Sequence, residues 1–222
     1  MPTPKIAVLI SGQGRNLQAI LDAVAAGKIP ARMACVASNR SDASGLERAR
    51  AAAVPAVVVP HADYSSREDF DAALASALEQ HRPDIIALAG FMRVLGDGFI
   101  ERFKGRMVNI HPSLLPKYRG LHTHRRVLEA GDREHGASVH FVTGDLDGGP
   151  VAIQGGFSVK PQDNEQSLME RVMQEVELKI FPQALAWLAR GELRYAGGGV
   201  LFRGRPLTAP LSMNDLEPEF RR

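Results

Sequence analysis

Cysteine is nearly missing from this chain of 222 residues, and the absence is informative. One residue, Cys35, cannot close an intrachain disulfide, so the chain draws no stability from cross-links and suits a reducing compartment. Its neighbours Arg32-Met33-Ala34-Cys35-Val36-Ala37 form an apolar run, which predicts a thiol buried in a strand. Excess charge is missing too. A formal net charge of +2 gives no bulk attraction for nucleic acid or for a membrane surface, although a pI near 8.8 suits an anionic small molecule. No apolar run reaches the length of a transmembrane helix, and the stretch Lys5 to Ile10 is too short for a signal peptide. Internal repeats, low-complexity tracts and linker-like segments are also absent, which predicts one continuous cytoplasmic domain.

What is present alternates between strand and helix. The run Lys5-Ile6-Ala7-Val8-Leu9-Ile10-Ser11 is continuously apolar and ends in a glycine turn, as a parallel strand covered on both faces does. Leu17, Ile20, Leu21 and Val24 then recur at helical spacing. The pattern repeats as a strand at 33–37, a helix at 45–53, a strand at 56–59, a helix at 66–80 and a strand at 85–89. Ser65 with Glu68 resembles a capping box for the helix at 66–80. After a short amphipathic segment at 99–103 comes a strand ending at His111. This is an α/β protein. Beyond His122 the pattern changes: one short helix at 123–130, then 137–141 alternating like a half-exposed strand, then a second such strand at 151–159. Those two favour antiparallel pairing. A long helix at 164–188 follows, and the Gly/Pro-rich tail offers one hairpin near Val200 to Phe202.

Four features carry chemistry. Asn109 and His111 lie two apart in the strand Met107 to His111, so they project from one face, and Pro112 and Pro116 stop the strand there. An amide and an imidazole at the carboxyl end of a buried parallel strand stand where α/β sheets hold ligands. The turn Ser11-Gly12-Gln13-Gly14-Arg15-Asn16 puts backbone amides at a helix N-terminus, where an anion such as phosphate is favoured. Leu17 replaces the third glycine of a dinucleotide fingerprint, so a plain strand-to-helix turn fits equally well, and Arg15 tilts the reading towards phosphate. Five of the seven histidines (His111, His122, His124, His135, His140) fall within thirty residues, but without carboxylates or cysteines at supporting spacing they do not predict a metal site. Asp147, in Leu146-Asp147-Gly148-Gly149-Pro150, reads on composition as a turn aspartate.

Taken together, these residues resemble a known family. Ser11-Gly12-x-Gly14-x-Asn16-Leu17, Ala89-Gly90-Phe91-Met92-Arg93, Asn109-Ile110-His111-Pro112-Ser113-Leu114-Leu115-Pro116, Gly120-Leu121-His122-Thr123-His124, His135-Gly136-x-Ser138-Val139-His140 and Leu146-Asp147-Gly148-Gly149-Pro150 are similar to the phosphoribosylglycinamide formyltransferase family of folate-dependent enzymes. The likeness spans roughly residues 5 to 190. The Asn-x-His-Pro-Ser element alone is shared with tRNA-formylating and formylfolate-hydrolysing relatives; the combination is more specific.

The resemblance implies a formyltransferase fold, with a Rossmann-like N-terminal half carrying a parallel sheet and a C-terminal half with antiparallel strands in a mixed sheet. It implies a single domain over 1–222: about 1–100 for nucleotide and phosphate, about 101–190 for catalysis and folate, and about 191–222 as a tail. The implied reaction moves the formyl group of 10-formyltetrahydrofolate onto the amine of 5-phosphoribosylglycinamide in purine biosynthesis, through a tetrahedral oxyanion, with no metal. Asn109, His111 and Asp147 match the catalytic residues. Gly14, Arg15 and Asn16 match the phosphate loop, where a serine is common in place of Arg15. Arg67 and Met92, Arg93, Val94 and Leu95 match folate contacts, and Gln174 and Glu177 match ribonucleotide contacts. Arg119 stands where the family usually has proline.

On this reading Asp147 raises the pKa of His111 and keeps it charged, and the partners are small molecules only, in a monomer or homodimer. A tRNA formyltransferase is the nearest rival, but about thirty residues after the long helix are too few for a tRNA-binding domain. A hydrolase would release formate without an amine, and a non-catalytic nucleotide-binding module would leave Asn109, His111 and Asp147 unexplained together.

Overall fold

The structure is a computed structural model that describes residues 2–221; the two terminal residues of the expected 1–222 domain lie outside the described residues. These residues divide between Val108 and Asn109 into two compact units.

The first unit holds β1 (Lys5–Ile10), α1 (Arg15–Ala25), β2 (Arg32–Ser38), α2 (Gly45–Ala51), β3 (Ala56–Val58), α3 (Arg67–His81), β4 (Ile85–Leu88) and α4 (Asp97–Arg102). β1 pairs in parallel with β2 and with β4, and β2 in parallel with β3. Ile6 to Ile10 are buried, as a strand covered on both faces requires. Cys35 is buried in β2, where burial pushes its thiol up to about 12, so it stays a protonated apolar residue.

Local chemistry corrects some boundaries. α2 ends before residue 53 because Ala53 has a left-handed backbone, φ 54°. The cap of α3 is Ser66 rather than Ser65: its hydroxyl accepts the Asp69 N–H at 3.0 Å, so the third-position partner is Asp69 and not Glu68. β3 and β4 each stop one residue earlier than the apolar pattern suggests.

β5 (Met107–His111) follows, and the second unit continues with α5 (Thr123–Ala130), β6 (Glu134–Phe141), β7 (Val151–Ser158), α6 (Glu165–Arg171), α7 (Leu178–Ala189), β8 (Leu193–Ala196), β9 (Gly199–Phe202) and β10 (Arg205–Pro206). Seven strands are hydrogen-bonded in the order β3-β2-β1-β4-β5-β6-β7, mostly parallel, with β6 and β7 antiparallel as the alternation predicts. β6 is not half-exposed. Every residue from His135 to Phe141 is buried, and its polar side chains are satisfied internally: Ser138 Oγ donates to Ser113 O at 2.6 Å and accepts from Leu115 N. An alternating pattern thus arose from buried, hydrogen-bonded polar residues rather than from a wet face.

The expected long helix is one helical run with a change of pitch, because a π-helical turn at Val172–Glu177 separates α6 from α7. Asn164 caps it through Ser167 N at 2.9 Å. The tail carries a three-stranded antiparallel sheet, β10-β9-β8, rather than a single hairpin.

Close backbone approach fixes glycine at two points of the β6–β7 pair. A Cβ at Gly136 would stand 1.9 Å from Gly155 O, and one at Gly149 1.8 Å from Phe141 O. Neither oxygen can swing away. Gly136→Ala is expected to lower stability by at least about 1–3 kcal/mol in denaturant melts. Gly98→Ala, in α4 with open space around its Cβ, should be neutral or slightly stabilising; equal losses in both variants would refute the steric argument.

Candidate active site

β5 delivers its last residues to the candidate site of the second unit. Asn109 is half-buried, and His111 is buried at 5% exposure. They do not touch each other directly; Asp147 joins them. Its Oδ1 accepts from Asn109 Nδ2 at 3.4 Å and its Oδ2 lies 3.4 Å from His111 Nδ1. Oδ2 also accepts the Gly120 N–H at 2.9 Å. Asp147 sits in the connection between β6 and β7 with a left-handed backbone, φ 47°, which aspartate tolerates better than most residues. Gly148 and Gly149 allow the chain to fold tightly around it, since a Cβ at either position would collide with Asp145 or Phe141.

Two participants were not foreseen from sequence. His140, buried in β6, places Nε2 3.1 Å from Asn109 Nδ2 and 3.6 Å from Asp147 Oδ1, while its Nδ1–H donates to Phe141 O at 3.0 Å. Tyr118 turns its carbonyl oxygen to His111 Nε2 at 2.9 Å. The sequence signals for His140 were its place among the clustered histidines and in the His-x-x-x-x-His segment of β6, neither of which gave it a role; for a carbonyl such as that of Tyr118 there was none. Both protons of the Asn109 amide face protein groups, so donation to a substrate oxygen gives up one contact, and the 3.4 Å contact to Asp147 is the weaker. A substrate oxygen likewise competes with Tyr118 for His111 Nε2.

The electrostatics separate the two central groups. Burial is the largest single effect on Asp147 and raises its pKa. The neighbouring His140 ring, the Gly120 N–H and the His111 ring together outweigh it, so the carboxyl stays below its usual range and is ionised at neutral pH. His111 goes the other way from the expectation. Burial, the largest effect, together with the nearby His140 and Arg126 lowers its pKa by more than the Tyr118 carbonyl and Asp147 raise it, leaving the ring neutral at neutral pH in the free protein. The carboxylate moderates the effect of burial without reversing it.

The other expected residues fall as follows. Gly14 takes a left-handed backbone, φ 72°, before α1, and no side chain caps that helix, whose first two residues are Arg15 and Asn16. Arg48, absent from the sequence reading, braces this loop by donating to Gln13 O at 2.9 Å and to Gln18 Oε1 at 3.1 Å. Arg67 is exposed at the start of α3. Met92 and Val94 are exposed at 66% and 55%, unusual for apolar side chains, with exposed Arg93 between them and Leu95 buried. Gln174 is exposed and donates to Glu170 Oε1 at 3.0 Å, whereas Glu177 is buried; both lie in the π-helical turn. Arg119 lines a cavity of about 440 Å³ together with Asp147, Pro150 and the tail residues Leu207 and Pro210. Among the described residues no group of three histidines, cysteines or carboxylates is placed to hold a metal. Among the described residues no helix is long and apolar enough to cross a membrane. His124 and His135 form their own pair instead, Nδ1 to Nε2 at 2.8 Å, against the Phe157 ring.

An ionised carboxylate, an imidazole and a carboxamide gathered beside the carboxyl end of an α/β strand are the kinds of group that serve transfer at a carbonyl carbon, and the fold is that of an α/β enzyme. Comparison with known proteins gives the particular kind. Residues 4–185 match the family model described as formyl transferase. The chain is 50% identical over 189 residues to the phosphoribosylglycinamide formyltransferase of Escherichia coli K12, covering 85% of this chain and 89% of that one. It is 45% identical to the enzyme of that name from Haemophilus influenzae, covering 91% and 95%. The solved phosphoribosylglycinamide formyltransferase structure from Coxiella burnetii superposes with a TM-score of 0.90 at 47% identity, over 95% of this chain and 99% of that one. The chain belongs to the formyl transferase family, among its phosphoribosylglycinamide formyltransferases. Formylfolate is the cosubstrate of that family.

The buried His135 generates a pH dependence. Burial, with the nearby His124, pushes His135 from 6.5 down to about 4. Between those values the unfolded chain binds more protons than the folded one, so stability is complete above about pH 6.5 and falls as pH drops towards 4. This group alone is expected to cost about 3 kcal/mol across that window, at 1.36 kcal/mol per unit. Denaturant melts of His135→Gln should show a shallower slope between pH 6.5 and 4; an unchanged slope would exclude the assignment.

Proposed function

We propose that this chain transfers the formyl group of 10-formyltetrahydrofolate to the amine of 5-phosphoribosylglycinamide, giving 5-phosphoribosyl-N-formylglycinamide and tetrahydrofolate in de novo purine biosynthesis. The observation that carries this reading is the convergence of Asn109 and His111 on the ionised, largely shielded Asp147. It is supported by family membership across most of the chain.

In the proposed mechanism the amine nitrogen attacks the formyl carbon, a carbon–nitrogen bond forms, and the carbonyl electrons move to oxygen. The oxyanion is held by Asn109 Nδ2, released from its long contact to Asp147, and by His111, released from the Tyr118 carbonyl. A donor of this kind typically contributes about 2.7–4 kcal/mol to the transition state. Negative charge beside the ring opposes the effect of burial, so the neutral His111 gains proton affinity as the oxyanion develops. Water can therefore relay the proton shed by the amine to the ring nitrogen beside Asp147, Nδ1, while Nε2, which already carries the ring's proton, gives one to the folate nitrogen as the old carbon–nitrogen bond breaks. Asp147 stabilises the transient imidazolium without being protonated itself.

Within the proposed single domain, Gly14, Arg15 and Asn16 hold the ribonucleotide phosphate at the N-terminus of α1, with Gln174 and Glu177 as further ribonucleotide contacts. Arg67 and Met92 to Leu95 take the folate; the exposed Met92 and Val94 suit a flat aromatic ring, and Arg67 and Arg93 suit its acidic tail. The phosphate loop and the folate contacts fall before residue 101, so the part of the chain up to about 100 serves phosphate and folate, and 101–190 serves chemistry and, through Gln174 and Glu177, the rest of the ribonucleotide. The partners on this reading are these two small molecules, with no metal.

The test is an absorbance assay with a 10-formylfolate donor, with and without glycinamide ribonucleotide. Turnover that requires the ribonucleotide supports the proposal; formate release without it would indicate a hydrolase, and binding without turnover a regulatory module. His111→Ala is expected to lower kcat by about 10² or more with the fold intact by circular dichroism. For Asp147→Asn, loss of the charge that opposes burial should move the acidic limb of the pH–rate profile to lower pH. An unmoved limb would remove Asp147 from that role.

A further inference from the structure

In the first unit one buried hydroxyl joins two loops to which different ligands have been assigned. Ser11, at 8% exposure, opens the phosphate loop directly after β1. Its Oγ accepts the backbone N–H of Met92 at 2.7 Å, and its proton goes to Asn39 Oδ1 at 2.5 Å. A hydroxyl has one proton and two lone pairs, so the bond to Asn39 fixes its direction and leaves a lone pair for Met92. Asn39, at 3% exposure, is held in turn by His61, whose Nδ1 lies 3.2 Å from Asn39 Nδ2 and 2.9 Å from Asn39 O. The Ser11 backbone N–H adds a bond to Gly90 O at 3.1 Å.

The far end of the segment from Met92 has a comparable anchor. Asp71, buried on α3, accepts the Gly96 N–H through Oδ2 at 2.7 Å. Residues 92–96 belong to no helix or strand. They are tied by a buried side chain at each end, while the apolar side chains of Met92 and Val94 stand exposed between the ties. The two ties differ in one respect: Asp71 belongs to neither ligand loop, whereas Ser11 is the first residue of the phosphate loop.

We propose that Ser11 is a positioning residue for both ligands, coupling the phosphate loop to the folate-contacting segment through its hydrogen bonds to Met92 and Asn39, and that Asp71 positions the folate-contacting segment alone. The proposal rests on the assignment of these loops made above. An anion drawn into the amides after Gly12 fixes the backbone at Ser11, which fixes the acceptor for Met92. Order at one loop is then transmitted to the other through a single hydroxyl.

Ser11→Ala removes the hydroxyl and leaves the Ser11 N–H bond to Gly90 in place. In the ligand-free protein, hydrogen exchange at the Met92 amide should accelerate at least tenfold while the Gly96 amide keeps its protection; Asp71→Ala should give the reverse. In steady-state kinetics Ser11→Ala should raise KM about threefold to tenfold for both formylfolate and ribonucleotide, with a smaller change in kcat, as expected for loss of one hydrogen bond. Asp71→Ala should raise only the formylfolate KM. Ser11→Thr, which keeps the hydroxyl, should restore both constants. A general loss of folding lowers the active fraction and hence kcat, without this KM pattern. If Ser11→Ala does not yield folded protein, Ser11→Cys, with a much weaker acceptor, is read in the same way.

Unchanged exchange at Met92, unchanged Michaelis constants, or a rise confined to one substrate would overturn the proposal. Failure of the unaltered protein to turn over these substrates would instead overturn the functional reading, and exchange at Met92 would still report on the anchor.

Discussion

A carboxylate whose side chain is only 10% exposed has to be surrounded by donors, and the connection between β6 and β7 is arranged to meet that constraint at Asp147. The Gly120 N–H, the Asn109 amide and the rings of His111 and His140 all face its two oxygens. Meeting them requires a left-handed backbone at Asp147 and glycine at 148 and 149, where side chains have no room. His140 reaches the carboxylate from β6, which is buried from His135 to Phe141. A buried charge is a weak source of stability, and its partners here are better explained by what they hold ready than by what they stabilise.

How much of this was legible in the sequence depended on the range of the interaction concerned. The order of strands and helices follows from local periodicity, and Asn109 and His111 could be placed on one face because a strand alternates every two residues. Asp147 was different. It lies far along the chain, reads on composition as a turn residue, and gained a role only through the resemblance. His140 was counted among scattered histidines, and the carbonyl of Tyr118 has no residue-type signature at all. Alternation in β6 was misread because Ser138 and His140 are polar in type yet fully partnered in space. The capping residue of α3 slipped by one because Ser65 and Ser66 both precede an acidic residue three positions on, and only geometry chooses between them. The glycine turn before α1 was ambiguous for a related reason: the same amides serve a plain turn and an anion.

The sign of the His111 shift shows why a charge partner alone does not determine protonation. Adjacent Asp147 favours the imidazolium, and so does the Tyr118 carbonyl on the other nitrogen, yet burial prevails. For a donor acting on a developing oxyanion this order is useful. A ring held permanently charged would already be satisfied by Asp147 in the ground state and would gain little more as the oxyanion forms. A ring kept neutral by burial, with a carboxylate already in place, gains proton affinity only when negative charge appears beside it. Its stabilisation is then concentrated in the transition state, where it changes the rate rather than the binding of substrate.

The two kinds of positioning in the chain have different physical bases. Around Asp147 the constraint is electrostatic: a charge withdrawn from water compels its neighbours to converge, and any group removed leaves the rest of the charge uncompensated. At the segment 92–96 the constraint is hydrogen bonding at its two ends, with two backbone N–H groups tied to buried acceptors and the apolar side chains of Met92 and Val94 exposed between them. Rigid charge suits chemistry that tolerates little displacement, since a donor displaced by an ångström loses most of its effect. A tied but otherwise irregular loop suits recognition, where the side chains between the ties can adjust to the ligand while the backbone keeps its place. That division accords with a conspicuous sequence motif at the strand end, whereas the residues that tie the segment 92–96, Ser11 and Asp71, look ordinary until their hydrogen bonds are traced.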